Sequence, residues 1–263
     1  MKQKTVFFDL DGTLLGTRNG RRFQIPESAL RALRRLVENG HRIAVCSGRQ
    51  EAFIHRFFPG LFQNYIALNG AHVVIGGKTV LDRPLSTVRV KRLTAHFDAF
   101  GCSYVLIGKH HGWARNVPGR LFGQMEEVYG LPDFLIYDWK PEEIRASMMD
   151  FIFESEADYQ KCAGAFTDGM ILNRHPGGLT SDLSFPEWDK AKGIGFFLGR
   201  AGIARKDAVA FGDGYNDVTM MDAVGCSVAM GNAVDPVKRR ADYVTADWSD
   251  DGIERGLRHL GLI

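Results

Sequence analysis

Two aspartates, Asp9 and Asp11, stand two positions apart directly after the short apolar run of residues 5–8. Side chains two apart in an extended segment share a side, so the carboxylates would lie together if the extended geometry continues to Asp11. Close carboxylates repel unless a cation bridges them or one holds a proton, and both arrangements serve catalysis. A plain turn that favours Asp and Gly is the alternative. A calcium loop is excluded because Gly12 comes fourth rather than sixth and no glutamate stands twelfth.

A hydroxyl group and a glycine follow a second apolar segment. Ser47 and Gly48 come directly after residues 41–46, where the next helix is predicted to open. Backbone N–H groups and the positive end of a helix dipole favour anions, so this segment is a candidate phosphate cradle. An ordinary N-cap serine explains the same residue at least as well.

A third polar group follows the apolar run of residues 208–211. Asp213 is placed to ligate a hard cation, while Asn216 and Asp217 fall in the first turn of the next helix, within reach of a metal shell or a phosphate. A Gly-Asp-Gly turn is commonplace by itself. Here, however, it is the third polar group that follows a predicted strand. Ligands of open α/β sheets bind beyond the carboxyl ends of the strands, so three such groups indicate a ligand site.

A lysine completes the set. Lys190 and Lys192 both fall in the first turn of a predicted helix at 190–201, where a cation opposes the helix dipole and so suggests an anionic partner. A solvated surface charge is the alternative for each. No P-loop, dinucleotide-binding glycine turn or nucleophile elbow occurs in the sequence, which removes the main competing α/β chemistries.

The elements around these residues alternate. Residues 5–8, 41–46 and 65–68 predict strands, with helices between them, and the alternation resumes from residue 190 onward. Strands that are apolar throughout are typical of a parallel sheet covered on both faces. The pattern therefore predicts an α/β fold with a doubly wound, Rossmann-like parallel sheet.

The middle of the chain follows another pattern. Strands are expected at 103–107, 112–116, 147–153, 169–174 and 180–185, with helices near 87–100, 120–129 and 156–166. These elements predict an inserted α+β domain at 84–186, within a core formed by 1–83 and 187–263. Pro84 and Pro186 mark the two hinges because proline interrupts both helix and strand patterns.

Composition narrows the function classes. The net charge of +2 arises from 33 basic and 31 acidic residues scattered along the chain, which argues against nucleic acid or a membrane surface and favours a small ligand. The four cysteines form no Cys-x-x-Cys pair, so a zinc site or a disulfide framework is not expected. No apolar run approaches the roughly 20 residues of a membrane span. We expect a cytoplasmic protein; its oligomeric state cannot be derived from the sequence.

Taken in order, the polar segments resemble the motifs of the haloacid dehalogenase superfamily, and within it the Cof-type sugar-phosphate phosphatases with a large α/β cap. The segments that carry the resemblance are DLDGT at 9–13, SGR at 47–49, LNGA at 68–71, GDGYND at 212–217 and VAMGNA at 228–233. Lys190 fits the family's lysine motif better than Lys192, because apolar residues follow it four, seven and eight positions later.

The resemblance implies a Mg²⁺-dependent phosphatase of small phosphate monoesters, with sugar phosphates as the first expectation. It implies that Asp9 attacks phosphorus to form an aspartyl phosphate and that Asp11 is the general acid and base. It implies that the insert closes over the site and selects the leaving group. It also implies two sets of binding residues: Ser47, Gly48, Lys190 and Asn216 for the phosphate, and Asp9, Asp213, Asp217 and the backbone carbonyl of Asp11 for the metal. A phosphosugar mutase and a non-catalytic sensor of phosphometabolites remain as alternatives.

Overall fold

The computed structural model describes residues 2–166, 170–174, 180–185 and 187–263. The chain divides into two compact units. The first comprises Met1–Arg49, Phe57–Leu81 and Asp189–Ile263, and the second comprises Gln50–Arg56 and Asp82–Trp188. Pro186, expected at the second hinge, and the first residue of the strand expected at 169–174 lie outside the described residues.

Strands and helices alternate along most of the described chain. The strands are β1 (Thr5–Phe8), β2 (Gly16–Arg18), β3 (Arg21–Gln24), β4 (Arg42–Cys46), β5 (Tyr65–Ala67), β6 (His72–Ile75), β7 (Lys78–Asp82), β8 (Tyr104–Gly108), β9 (Gly112–Arg115), β10 (Leu135–Ile136), β11 (Ala146–Ile152), β12 (Ile171–Arg174), β13 (Thr180–Ser184), β14 (Ala208–Gly212), β15 (Cys226–Ala229) and β16 (Tyr243–Val244). The α-helices are α1 (Glu27–Glu38), α2 (Glu51–Phe57), α3 (Thr87–Ala99), α4 (Phe122–Tyr129), α5 (Glu156–Ala163), α6 (Lys190–Ala201), α7 (Val218–Asp222), α8 (Asp235–Arg240) and α9 (Gly252–His259).

The first unit is built on a sheet with the strand order β16-β15-β14-β1-β4-β5-β6-β7. Neighbouring strands from β16 to β5 are parallel, and every residue of β1 is buried. This is the burial expected of central strands with helices on both faces. The predicted α/β class with a parallel core sheet is confirmed.

One edge of this sheet departs from the expected alternation. β6 pairs antiparallel with β5, and β7 lies beyond it. The hairpin of β2 and β3 also forms, around a turn in which Asn19 and Gly20 both have positive φ. The strands β2, β3 and β7 are short and mostly exposed, so they lack the continuous apolar run that marks a buried strand.

Helices pack their apolar residues against the sheet of the first unit. In α6, Ile194 and Phe197 are fully buried and join Phe7 of β1 in one hydrophobic cluster. The rings of Phe7 and Phe197 meet edge to face with centroids 5.2 Å apart. This packing fixes the start of α6, and with it Lys190, relative to the end of β1.

The second unit contains a separate sheet with the order β10-β9-β8-β11-β13-β12 among the described residues. Its core is aromatic, with Phe97 of α3 at a centroid distance of 4.6 Å from Phe151 of β11. Each strand of this unit that the sequence predicts is found within a residue or two of its expected bounds. None of the described helices combines the length and apolar character needed to cross a bilayer.

Candidate active site

Three of the polar segments lie at the ends of neighbouring strands. β1 pairs with β14 on one side and β4 on the other, with Phe8 opposite Phe211 and Val45. The next residue, Asp9, donates its backbone N–H to the Phe211 carbonyl at 2.9 Å. The loops that begin at Asp9, Ser47 and Asp213 therefore meet at one edge of the sheet.

Lys190 lies between two carboxylates of this edge. Its Nζ donates to Oδ1 of Asp9 and to Oδ1 of Asp217, each at 2.6 Å, and the residue is 1% exposed. Burial lowers the pKa of Lys190, but the two carboxylates outweigh it and the pKa is raised overall. Asp189 caps α6 by accepting from the backbone N–H of Lys192, whose own side chain is exposed. Of the two candidate lysines, the structure brings Lys190 to the aspartates.

Asp217 organises the loop that follows β14. Its Oδ2 accepts from the backbone N–H groups of Asp213 at 2.8 Å and Gly214 at 2.9 Å, while Oδ1 accepts from Lys190. A Cβ on Gly212 would lie 2.7 Å from the Asp217 carboxyl carbon, so the close approach depends on that glycine. The fully buried Asp217 thus fixes both the loop and the lysine.

Asp9, Asp213 and Asp217 form an acidic group that could hold a metal ion. Each offers a carboxylate oxygen, and these oxygens lie within 4.8 Å of one another. Burial, followed by the charge of Asp217, raises the pKa of Asp9 to about 7. Burial and the charge of Asp9 likewise raise the pKa of Asp213 well above its ordinary value. Crowded, buried carboxylate oxygens are the hard ligands that a divalent cation such as Mg²⁺ prefers, so the donor set fits that ion.

Asp213 is held at both of its oxygens. Oδ1 accepts from the hydroxyl of Thr13 at 2.8 Å, and Oδ2 lies 3.3 Å from Nδ2 of Asn232. The same Nδ2 donates to the Gly12 carbonyl at 2.8 Å, and Oδ1 of Asn232 accepts from the backbone of Trp248. Thr13 and Asn232 belong to the motif segments, but sequence reasoning assigned neither a role. The available signal for Asn232 was its position three residues beyond the end of β15.

The residues predicted to bind phosphate adjoin a side chain that sequence reasoning missed. Asn69 has a positive φ of 50°, and its Oδ1 accepts from Nδ2 of Asn216 at 3.2 Å. A Cβ on Gly48 would lie 3.0 Å from that same oxygen. The structure thus connects Gly48 and Asn216 through Asn69. The only sequence signal for Asn69 was the LNGA segment at 68–71.

Ser47 is buried in the loop before α2 rather than at the start of the helix. Its Oγ accepts from the backbone N–H of Arg49 at 3.1 Å, and α2 begins four residues after Ser47, at Glu51. The alternative that Ser47 is the N-cap of this helix is therefore wrong. The local turn is closed by the serine hydroxyl, which competes with helical hydrogen bonding.

Asp11 is not one of the three residues of the acidic group. β1 ends at Phe8, and the Leu10 carbonyl accepts from the backbone of Thr13 and Leu14, so Asp11 lies within a turn. The condition that extended geometry continues to Asp11 is not met. Its carboxylate, 45% exposed, accepts from Nε and Nη2 of Arg49 at 2.7 and 2.8 Å.

Known proteins resemble the chain along its whole length. YkrA of Bacillus subtilis strain 168 is 29% identical over 268 aligned residues, covering 100% of both chains. Pyridoxal phosphate phosphatase YbhA of Escherichia coli strain K12 is 27% identical over 278 residues, covering 96% of this chain and 97% of its own. A solved structure of BT4131, a HAD subclass IIB sugar phosphatase, superposes with a TM-score of 0.81 at 25% identity, covering 99% of this chain and 100% of the other.

The family model for haloacid dehalogenase-like hydrolases matches residues 6–257, a span that contains every candidate site residue. The resemblance drawn from the five motif segments is confirmed by this match. The chain belongs to the family of haloacid dehalogenase-like hydrolases and is a phosphatase of that family.

Proposed function

We propose that the protein hydrolyses small phosphate monoesters with Mg²⁺ through a phosphorylated Asp9. One observation carries this proposal: Asp9 belongs both to the acidic group and to the hydrogen bond with Lys190. A nucleophilic carboxylate needs positive charge around it before a phosphate dianion can approach. The buried lysine supplies part of that charge, and a cation held by the acidic group would supply the rest.

The first step is an in-line displacement at phosphorus. The Asp9 carboxylate forms a bond to phosphorus, the bond to the ester oxygen breaks, and Asp11 gives a proton to the leaving oxygen. In the second step a water molecule attacks the acyl phosphate, Asp11 takes the proton of that water, and inorganic phosphate leaves. Two such steps replace one difficult displacement, and general acid–base assistance contributes about 10²–10⁴-fold.

Lys190 also suits a phosphate-binding role. An ammonium group has three donors, and two of them are directed to Asp9 and Asp217. The third is available for a phosphoryl oxygen. We assign the other oxygens to Ser47, the backbone of Gly48 and Asn216, because Asn69 connects Gly48 and Asn216.

Asp9, Asp213 and the backbone carbonyl of Asp11 would hold Mg²⁺. When bound, the ion neutralises carboxylate and phosphate charge so that the two anions can meet. Asp217, also expected as a metal residue, belongs to the acidic group but accepts hydrogen bonds at both oxygens. We therefore propose that it acts chiefly by fixing Lys190 and the Asp213 backbone.

Small phosphorylated metabolites are the proposed substrates, with sugar phosphates first. The similarity to BT4131 and to the pyridoxal phosphate phosphatase YbhA supports this class. We propose that the inserted segment 84–186 selects the leaving group, in a domain with its own aromatic core. Neither nucleic acid nor a membrane is a proposed partner, because the charge of the chain is almost balanced.

The test is a phosphate-release screen over metabolite esters, with Mg²⁺ and with a chelator. The wild-type protein should release phosphate with Mg²⁺ alone, and peptide mass analysis of an acid-quenched reaction should locate the phosphoryl group on Asp9. Asp9→Asn should lose both signals. Asp222→Asn, which changes an exposed aspartate paired with Arg240, is the matched control and should keep both.

The same screen separates the alternatives. Full phosphate release by Asp9→Asn would refute the nucleophile. Isomerised product without free phosphate, in the presence of a bisphosphate activator, would indicate a mutase. Absence of turnover for every ester would favour a sensor.

A further inference from the structure

Phe23 has a backbone conformation that a bulky residue rarely adopts. It lies on the exposed hairpin strand β3 with a φ of +57°. In that region Cβ is crowded by the backbone, so surrounding contacts must hold the residue in place.

The ring of Phe23 packs between two other side chains. Its centroid lies 5.0 Å from that of Phe57, and the guanidinium carbon of Arg49 lies 5.1 Å from the same ring. The second distance is within the range of a cation–π contact. The unusual backbone thus brings an aromatic face against Arg49.

Arg49 in turn constrains the carboxylate of Asp11. Its Nε and Nη2 donate to the two carboxylate oxygens, a fork that fixes both the position and the plane of the carboxylate. The Arg49 side chain is 18% exposed, whereas that of Asp11 is 45% exposed. The less exposed partner, packed against Phe23, is therefore the one that orders the other.

We propose that Arg49, held by the ring of Phe23, is the positioning residue for Asp11 in the water-activating half of the reaction. This inference rests on the proposed function. In that half, the water oxygen bonds to phosphorus, the bond from Asp9 to phosphorus breaks with its electrons returning to the carboxylate, and Asp11 accepts the water proton. Both Asp11 oxygens accept from Arg49, so the arginine fixes the direction in which this carboxylate faces the water molecule.

Rapid-quench kinetics of the full chain with Mg²⁺ and p-nitrophenyl phosphate test the inference. Nitrophenolate needs little help to leave, so formation of the phosphoenzyme depends weakly on Asp11, whereas its hydrolysis depends on it fully. Arg49→Lys keeps the charge without the fork, and Phe23→Leu keeps an apolar side chain without the ring. In both variants we expect decay of the phosphoenzyme to slow by about 10–100-fold, since a misplacement of a catalytic group by about 1 Å can lower the rate by that much. Formation should change by less than about threefold, and a burst of nitrophenolate should appear.

Two further variants separate positioning from general damage. Phe23→Tyr retains the ring and should restore the decay rate, while Arg22→Lys alters an exposed arginine on the same strand and should leave both rates unchanged. If Phe23→Leu does not fold, Arg49→Lys decides. Equal slowing of both steps, or unchanged decay, would overturn the inference. Failure of the wild-type protein to form any phosphoenzyme would instead overturn the proposed function.

Discussion

Nζ of Lys190 and Oδ1 of Asp9, 181 positions apart in the chain, lie 2.6 Å from each other with both residues buried. Asp217 completes the arrangement on the other side of the lysine. Two buried carboxylates thus share one cation, which offsets part of the cost of burying them. This relationship makes the site testable by measurements of stability as well as of activity.

Removing the lysine should destabilise the fold. Lys190→Met leaves Asp9 and Asp217 buried without their cation, and we expect the free energy of unfolding to fall by about 3–5 kcal/mol. Denaturant titration measures this. Lys192→Met, which changes an exposed lysine in the same helix, should stay within about 0.5 kcal/mol of the wild type. A similar loss in both variants would contradict the assignment.

Stabilisation by Mg²⁺ should grow with pH. The pKa of Asp9 is raised to about 7 in the folded chain, so the folded state binds its proton more tightly than the unfolded state does. Without a divalent ion, this contribution to stability is therefore present at low pH and lost as the pH rises toward 7. Protons and Mg²⁺ compete for the same carboxylates. The increase in melting temperature on adding Mg²⁺ should be larger at about pH 8 than at about pH 5; an equal or opposite difference would argue against the site.

Asn232 should affect metal affinity without touching substrate. Its amide joins the Gly12 carbonyl to Asp213, and groups that orient metal ligands typically change affinity by about 10–100-fold. We expect Asn232→Ala to weaken Mg²⁺ binding by that factor in calorimetric titration. Asn39→Ala removes an amide bonded to the Leu262 carbonyl and should leave Mg²⁺ affinity unchanged. Unaltered affinity in Asn232→Ala would refute the role.

Alanine substitutions at Gly12 and Gly20 make a matched pair of variants that tests the metal site. Both have positive φ, 80° and 72°, so alanine at either position costs about 1–2 kcal/mol in backbone strain. A Cβ at Gly12 would lie 2.1 Å from Oδ2 of Asp213, whereas Gly20 has open space around it. Gly12→Ala should therefore lose Mg²⁺ binding in addition to stability, and Gly20→Ala should lose stability alone. Calorimetric titration of both variants distinguishes the two effects, and retained Mg²⁺ affinity in Gly12→Ala would contradict the expected displacement of Asp213.

Local patterns were sufficient for much of the fold. The apolar runs at β1, β4 and β14 identify buried parallel strands. A strand covered on both faces needs apolar residues at successive positions, whereas a half-exposed strand needs them only at alternate positions. The polar residues that follow them could be placed at one sheet edge for the same reason. The exposed hairpin of β2 and β3 could not be predicted, since its register depends on a turn and on packing rather than on burial.

Other relationships were decided only by the tertiary structure. The sequence favoured Lys190 over Lys192 only through the spacing of the apolar residues that follow it. The structure separates the two lysines because, two residues further along a helix, a side chain is rotated by about 200° around the axis. The bond from Arg49 to Asp11 arises because the chain turns at Leu10, which no strand pattern reveals. The sequence by itself determined which groups reach the sheet edge; which of them touch was decided by helix phase, loop geometry and packing, since these depend on contacts between segments far apart in the chain.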